Sequence, residues 1–171
     1  RLYSKSGEKP LNNITAINFR TYAKAMGNNW RLLDIWHWSI LQLLYLVEYA
    51  DYNAQNKLGQ GVVRKEWNDA FNGVESGGCD LLGMKSGCFA DDGLHSVIYR
   101  GIEDIFGNAW QICDGINILG CQSYVCHEPA SYEFDVFNEK YVELGYENSK
   151  ASEQYSKKIG YDDNNPLIQL P

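Results

Sequence analysis

The chain has 171 residues, enough to bury the core of one domain, and with 44% hydrophobic and 13% aromatic residues it is not a disordered or low-complexity segment. A net charge of −7 argues against nucleic acid or an anionic membrane as the principal partner, since both require a basic face. Ile40–Val47 is interrupted by Gln42 and followed by Glu48, far short of the roughly 20 apolar residues that span a bilayer, so no membrane insertion is expected.

In chain order, Ala16, Phe19, Ala23 and Met26 recur at helical spacing and predict an amphipathic helix over 14–26, with Asn13 as N-cap and Gly27 as the stop. A second helix is expected from Ser39, because Ser39 followed by Gln42 has capping-box spacing ahead of an apolar run, and it should end before Gly59. Leu41, Leu44 and Val47/Glu48 trace one face of it, and Tyr45, Tyr49 and Tyr52 an adjacent one read as packing surface. Trp30, Trp36, His37 and Trp38 are expected to pack around the helices.

Eight glycines between Gly59 and Gly93 predict turns and short irregular segments, with Gly61–Arg64 as a short strand. His95–Tyr99 and Ala109–Ile118 are expected to be strands separated by a turn at Gly107–Asn108. After Gly120 the chain is polar and tyrosine-rich. A short helix is expected over Ser152–Ile159 and an extended tail over Pro166–Pro171. No linker divides the sequence, which predicts one α+β domain over residues 1–171.

Five cysteines cannot all pair with one another. Cys79 with Cys88 and Cys121 with Cys126 are spaced to close short loops, but a reduced, cytosolically assembled protein is the expectation for a core of this size. Arg1 follows no Met and the first dozen residues are polar, so no signal peptide is read and a piece of a longer chain is expected. Cys121, Cys126 and His127 lack the second ligand pair of a zinc site. Asp91–Gly93 and Asp162–Asn165 lack the ligand spacing of an EF-hand and read as solvated turns. His37, His95 and His127 have no evident Ser or Cys nucleophile with an orienting acid.

A tyrosine-rich, glycine-punctuated half suits a recognition surface, because Tyr buries large area at low entropic cost. The candidates are Tyr124, Tyr132, Tyr141 and Tyr146, with Asn138 and Glu139 as rim. Ordinary half-buried packing remains the alternative for each tyrosine.

Gly107-Asn108-Ala109-Trp110, inside Tyr99–Ile118, resembles the signature of the formylglycine-generating-enzyme-like branch of the C-type lectin fold, which phage tail proteins and retroelement-diversified variable proteins reuse for ligand display. Trp30–Asp34, Ser39–Ala50, Asn53–Gln55, Gly59–Gly61, Tyr124–Ala130, Leu144–Tyr146, Gly160–Pro166 and Leu170–Pro171 extend the resemblance over roughly residues 12–171. It implies a C-type-lectin-like fold with two N-terminal helices, a short twisted antiparallel sheet and long loops. Family members continue past the Leu-Pro, so this domain is expected to be incomplete at its C-terminus, its sheet completed by a companion chain or other virion subunits.

The resemblance further implies a Ca²⁺ site held by Asp104, the carbonyls of Gly107 and Ala109, and Gln111, where the enzymes carry Glu. The implied function is a non-enzymatic binding and display domain of a phage or prophage virion protein. It would be assembled in the bacterial cytoplasm, act on the tail against a bacterial surface glycan or protein, and be open to homo-oligomerisation. Two alternatives stand beside it: a purely structural virion component, and a metal-dependent oxidase related to formylglycine-generating enzyme.

Overall fold

A computed structural model describes residues 2–65, 73–147 and 162–166. The described residues form a mixed α+β arrangement of three α-helices and two three-stranded antiparallel sheets. They gather into two compact units, Arg1–Trp30 with Tyr49–Gln111, and Arg31–Glu48 with Ile112–Pro171. The expected helix at 152–159 and the tail beyond Pro166 lie outside the described residues.

In the first unit, α1 spans Ala16–Lys24, with Thr15 as N-cap accepting from the Asn18 amide. Asn13, the expected cap, instead takes a left-handed turn at φ 57°. Ala23 is buried and Ala16, Phe19 and Met26 are half-buried, so the expected face is the one that packs. A short α3, Ala54–Leu58, is capped by Asn53 and ends at Gly59. Gly59 sits at φ 106°, and a Cβ there would lie 2.4 Å from the Cys88 sulfur, so only glycine lets α3 approach the sheet this closely.

That sheet runs β1 (Gly87–Cys88), β2 (Val97–Tyr99), β3 (Ile102–Glu103), in that order. Arg100 and Gly101, both at positive φ, make the two-residue turn whose twist suits an antiparallel hairpin. Val97, Ile98 and Tyr99 are all buried, and Tyr49 packs on Tyr99 with ring centroids 6.4 Å apart. The expected strand at 61–64 is absent: the Val63 and Arg64 amides both donate to the Gly93 carbonyl, which pins the segment as a bend rather than a ladder.

In the second unit, α2 spans Ile35–Tyr49, starting four residues before the expected Ser39. Asp34 overrides the Ser39–Gln42 signal because its Oδ1 accepts from the His37 amide at 2.9 Å, which caps the helix there and leaves Ser39 buried inside it. The buried face carries Ile35, Ser39 and Tyr45, so of the tyrosine stripe expected to pack Tyr45 is buried and Tyr49 meets Tyr99 while Tyr52 is exposed; Leu44 and Val47, on the adjacent face, are exposed. The run 40–47 is apolar nearly all round, so its own spacing could not choose a face; the cap at Asp34 and the burial of Ile35 set the phase.

The second sheet is β4 (Ile116–Leu119), β5 (Gln122–Cys126) and β6 (Tyr141–Glu147), ordered β4-β5-β6. Val125 pairs with Ile116 and Val142, and its face packs on Ile35 with Leu144. Cys126 pairs with Tyr141 and packs with Tyr132 beneath the segment 129–138. That segment is tied down by side chains: Asn117 Nδ2 donates to the Glu133 and Val136 carbonyls, both at 2.9 Å. The Tyr141 hydroxyl accepts from the Glu133 amide at 2.8 Å and donates to its carbonyl at 2.6 Å. All five cysteines are free thiols.

Replacing Asn117 with Ala leaves two loop carbonyls without their donor in a mostly buried setting. Asn117→Ala is expected to cost about 1–3 kcal/mol of unfolding free energy, measured by urea denaturation. A value within error of zero would mean that water replaces the amide freely.

Candidate functional site

Asp104–Gln111 forms an irregular turn in the first unit rather than the entry to a strand. Ala109 and Trp110 lie outside any ladder, and β4 begins only at Ile116. Asp104, Gly107 and Asn108 all have positive φ, a conformation that Gly, Asn and Asp tolerate best. Gly107 is pressed against the Gly61–Val62 backbone, where a Cβ would lie 2.9 Å from the Val62 nitrogen.

Asn108 holds the turn from inside. Its Oδ1 accepts from the Val74 amide at 2.8 Å, and its Nδ2 donates to Asp104 Oδ2 at 2.6 Å, so its amide orientation is fixed from both ends. Gln111 Nε2 donates to the Asp104 carbonyl at 2.6 Å. The Trp110 side chain, by contrast, is fully exposed at the end of this braced turn.

The four residues expected to hold calcium therefore share one turn, but their donors do not fit a hard cation in this arrangement. Gln111 turns its NH₂ inward and presents a donor to Asp104. One Asp104 oxygen is occupied by Asn108, and the other, Oδ1, is buried with no donor in bonding geometry. Calcium takes six to eight oxygens, and among the described residues no group of three or more His, Cys, Asp or Glu side chains is placed to hold a metal. Burial pushes the Asp104 carboxyl above the ordinary carboxylate value, a neighbouring Glu103 charge adds to this, and Asn108, Ser96 and Lys65 oppose it. Glu103 itself is engaged elsewhere, accepting from the Gly77 and Cys79 amides at 2.6 and 3.0 Å.

The tyrosines expected to form a recognition surface are placed differently from one another. Tyr132 and Tyr141 are 7% and 5% exposed and belong to the core, so neither ring is open to a ligand. Tyr132 donates to Asp34 Oδ2 at 3.4 Å, and burial with the Asp34 charge pushes its phenol well above the ordinary range. Tyr124 is half-buried, edge-on to Phe137 at 5.1 Å. Asn138 and Glu139 are exposed in the loop before β6. Of Tyr146 only the backbone, within β6, is described. The Glu133 backbone has claimed the Tyr141 phenol and the Asp34 carboxylate that of Tyr132, and composition carried no signal of either demand.

Two polar arrangements were not expected. His37 is exposed rather than packed, and its Nδ1 lies 2.6 Å from Asp34 Oδ1. Asp162 and Asn165, read as a solvated turn, are 6% and 2% exposed. Asp162 Oδ2 accepts from the Gly145 amide at 3.1 Å and from Asn165 Nδ2 at 2.8 Å, while Asn165 Oδ1 faces His127 Nε2 at 3.0 Å. The Asn165 and Asn164 bonds hold the Asp162 carboxyl below the ordinary value. The Asp-Asp-Asn-Asn run signalled a turn, but nothing in it named Gly145 and His127 as receivers.

Compared with known families, curated proteins and solved structures, the chain matches none.

Because the fold disfavours ionised Asp104, its cost is full at neutral pH and disappears as pH falls through the raised folded value toward the ordinary 3.8. Asp104→Asn keeps the acceptor for Asn108, tolerates the left-handed backbone and removes the charge. The variant is expected to raise Tm at pH 7 by something on the order of 2 °C, with little gain at pH 4, and calcium should leave the wild-type Tm unchanged. A calcium-induced rise that Asp104→Asn abolishes would restore the metal assignment.

Proposed function

We propose that this chain is a non-enzymatic ligand-binding and display domain of C-type-lectin-like type, from a phage or prophage virion protein that meets a bacterial surface ligand. The observation that carries the reading is Trp110, a fully exposed indole on a turn held by Asn108, Asp104 and Gln111. An exposed aromatic on a pre-ordered loop loses little entropy on binding and offers a large contact area, the combination found at binding hot spots. The resemblance carried by Gly107-Asn108-Ala109-Trp110 supplies the phage setting.

The polar chemistry supports binding over catalysis. His37 and His95 face carboxylates, Asp34 and Asp92, and His127 faces the Asn165 amide; none of these contacts is with a hydroxyl or thiol nucleophile. Burial raises the Cys79 thiol to about 11 and Cys113 to about 12, which keeps both protonated and poor nucleophiles near neutrality. Exposed Asn138 and Glu139 and half-buried Tyr124 remain available as secondary contacts in the second unit.

Pull-down of the labelled protein on a panel of bacterial cell envelopes tests the reading. Saturable retention is expected, and Trp110→Ala should lower affinity at least about tenfold, the scale of truncating an interface tryptophan. Failure to bind any envelope would remove the recognition function; retention that ignores Trp110→Ala would move it to another surface.

A further inference from the structure

The Asp162–Asn165 turn is held by a small receptor that the rest of the second unit builds without it. Trp36 Nε1 donates to the Cys126 carbonyl at 2.8 Å, which fixes the indole at the end of β5. His127 packs on that indole with ring centroids 4.4 Å apart. On β6, the Gly145 amide faces outward from its ladder, and the absent side chain leaves the approach clear: a Cβ at 145 would lie only 3.3 Å from the Asp162 carboxylate.

The bonds dictate one another. Asp162 Oδ2 can only accept, so Asn165 must turn its NH₂ toward it. That points Asn165 Oδ1 at His127, which must then carry its proton on Nε2. The turn closes itself through the Asn165 amide and the Asp162 carbonyl at 3.0 Å, and the Asn164 amide and side chain complete the Asp162 Oδ1 shell. The receptor thus reads a carboxylate and a carboxamide three residues apart, in a turn, with a donor for each.

The contacts described between the turn and its receptor are hydrogen bonds. Only Asp162 and Asn165 are buried, whereas Asp163, Asn164 and Pro166 are exposed. Among the described residues two hydrogen bonds join the turn to its receptor, each modest in net worth because water competes for the same groups.

We propose that the Gly145 amide, His127 and Trp36 form a peptide-binding site for Asp-x-x-Asn turns, occupied here by the chain's own residues 162–165 as a displaceable internal ligand. An outside peptide bearing the same turn competes for the site, and its binding frees the internal one.

The probe is a fluorescein-labelled peptide with the sequence of residues 161–166, Tyr-Asp-Asp-Asn-Asn-Pro, followed by anisotropy. The full chain carrying Asp162→Ala and Asn165→Ala is expected to bind it at least tenfold more tightly than wild type, whose site is filled. Adding His127→Ala should remove that gain, and His127→Gln, which restores a donor, should recover part of it. A double variant with wild-type near-UV circular dichroism that binds no better than wild type would overturn the proposal. Should the double variant lose that signal, hydrogen exchange on wild type decides. Millimolar unlabelled peptide is expected to speed exchange at the Asn164 and Asn165 amides, and unchanged exchange overturns the site.

Discussion

The second unit depends on one buried carboxylate. Asp34 caps α2 through the His37 amide, faces the His37 ring and receives the Tyr132 hydroxyl from the loop over the opposite face of the sheet. Its backbone neighbours bridge to Asp114: the Ile35 amide donates to the Asp114 carbonyl and the Asp114 amide to the Leu33 carbonyl, both at 2.9 Å. A carboxylate this buried is costly unless its oxygens are occupied, and here occupying them brings a helix start, a loop and the approach to β4 to one point. The start and phase of α2 and the burial of Tyr132 follow from it.

The same constraint operates throughout the described residues, because few of them lie in regular ladders. A loop that is not paired to a neighbour must still satisfy its backbone N–H and C=O groups. Here side chains do so: Glu103 serves Gly77 and Cys79, Asn108 serves Val74, Asn117 serves Glu133 and Val136, and Asp162 serves Gly145. All four are Asp, Asn or Glu, whose short or branched polar ends reach backbone at close range. A strongly acidic composition is thus partly an internal requirement of an irregular fold. It is not wholly a property of the surface.

That division explains what the amino-acid sequence made legible. Local signals survived: the α1 face at Ala16, Phe19, Ala23 and Met26, the turns at the described glycines from 59 to 93, and a turn at Gly107–Asn108 were readable from spacing and residue type. What failed required knowledge of a distant partner. Ser39–Gln42 is a sound capping pattern, but it lost to Asp34, whose value comes from Tyr132, 98 residues away. Ala109–Trp110 has strand-forming composition but lies in a turn fixed by Val74, and Tyr132 and Tyr141 look like recognition residues until Asp34 and the Glu133 backbone, which take their hydroxyls, are placed.

Burial then separates aromatic residues by what their polar atoms meet rather than by type. Tyr141 has a loop amide and carbonyl for its hydroxyl, and Trp36 has the Cys126 carbonyl for its indole N–H, so both rings can be taken out of water without stranding a polar atom. Trp110 sits beside side-chain amides already spent within the turn: Asn108 on Val74 and Asp104, Gln111 on the Asp104 carbonyl. The bonds that make its turn rigid leave the indole outside. Side-chain amides tied to the turn's own backbone and carboxylate beneath an open aromatic are a physical reason for this surface to remain exposed while keeping one shape.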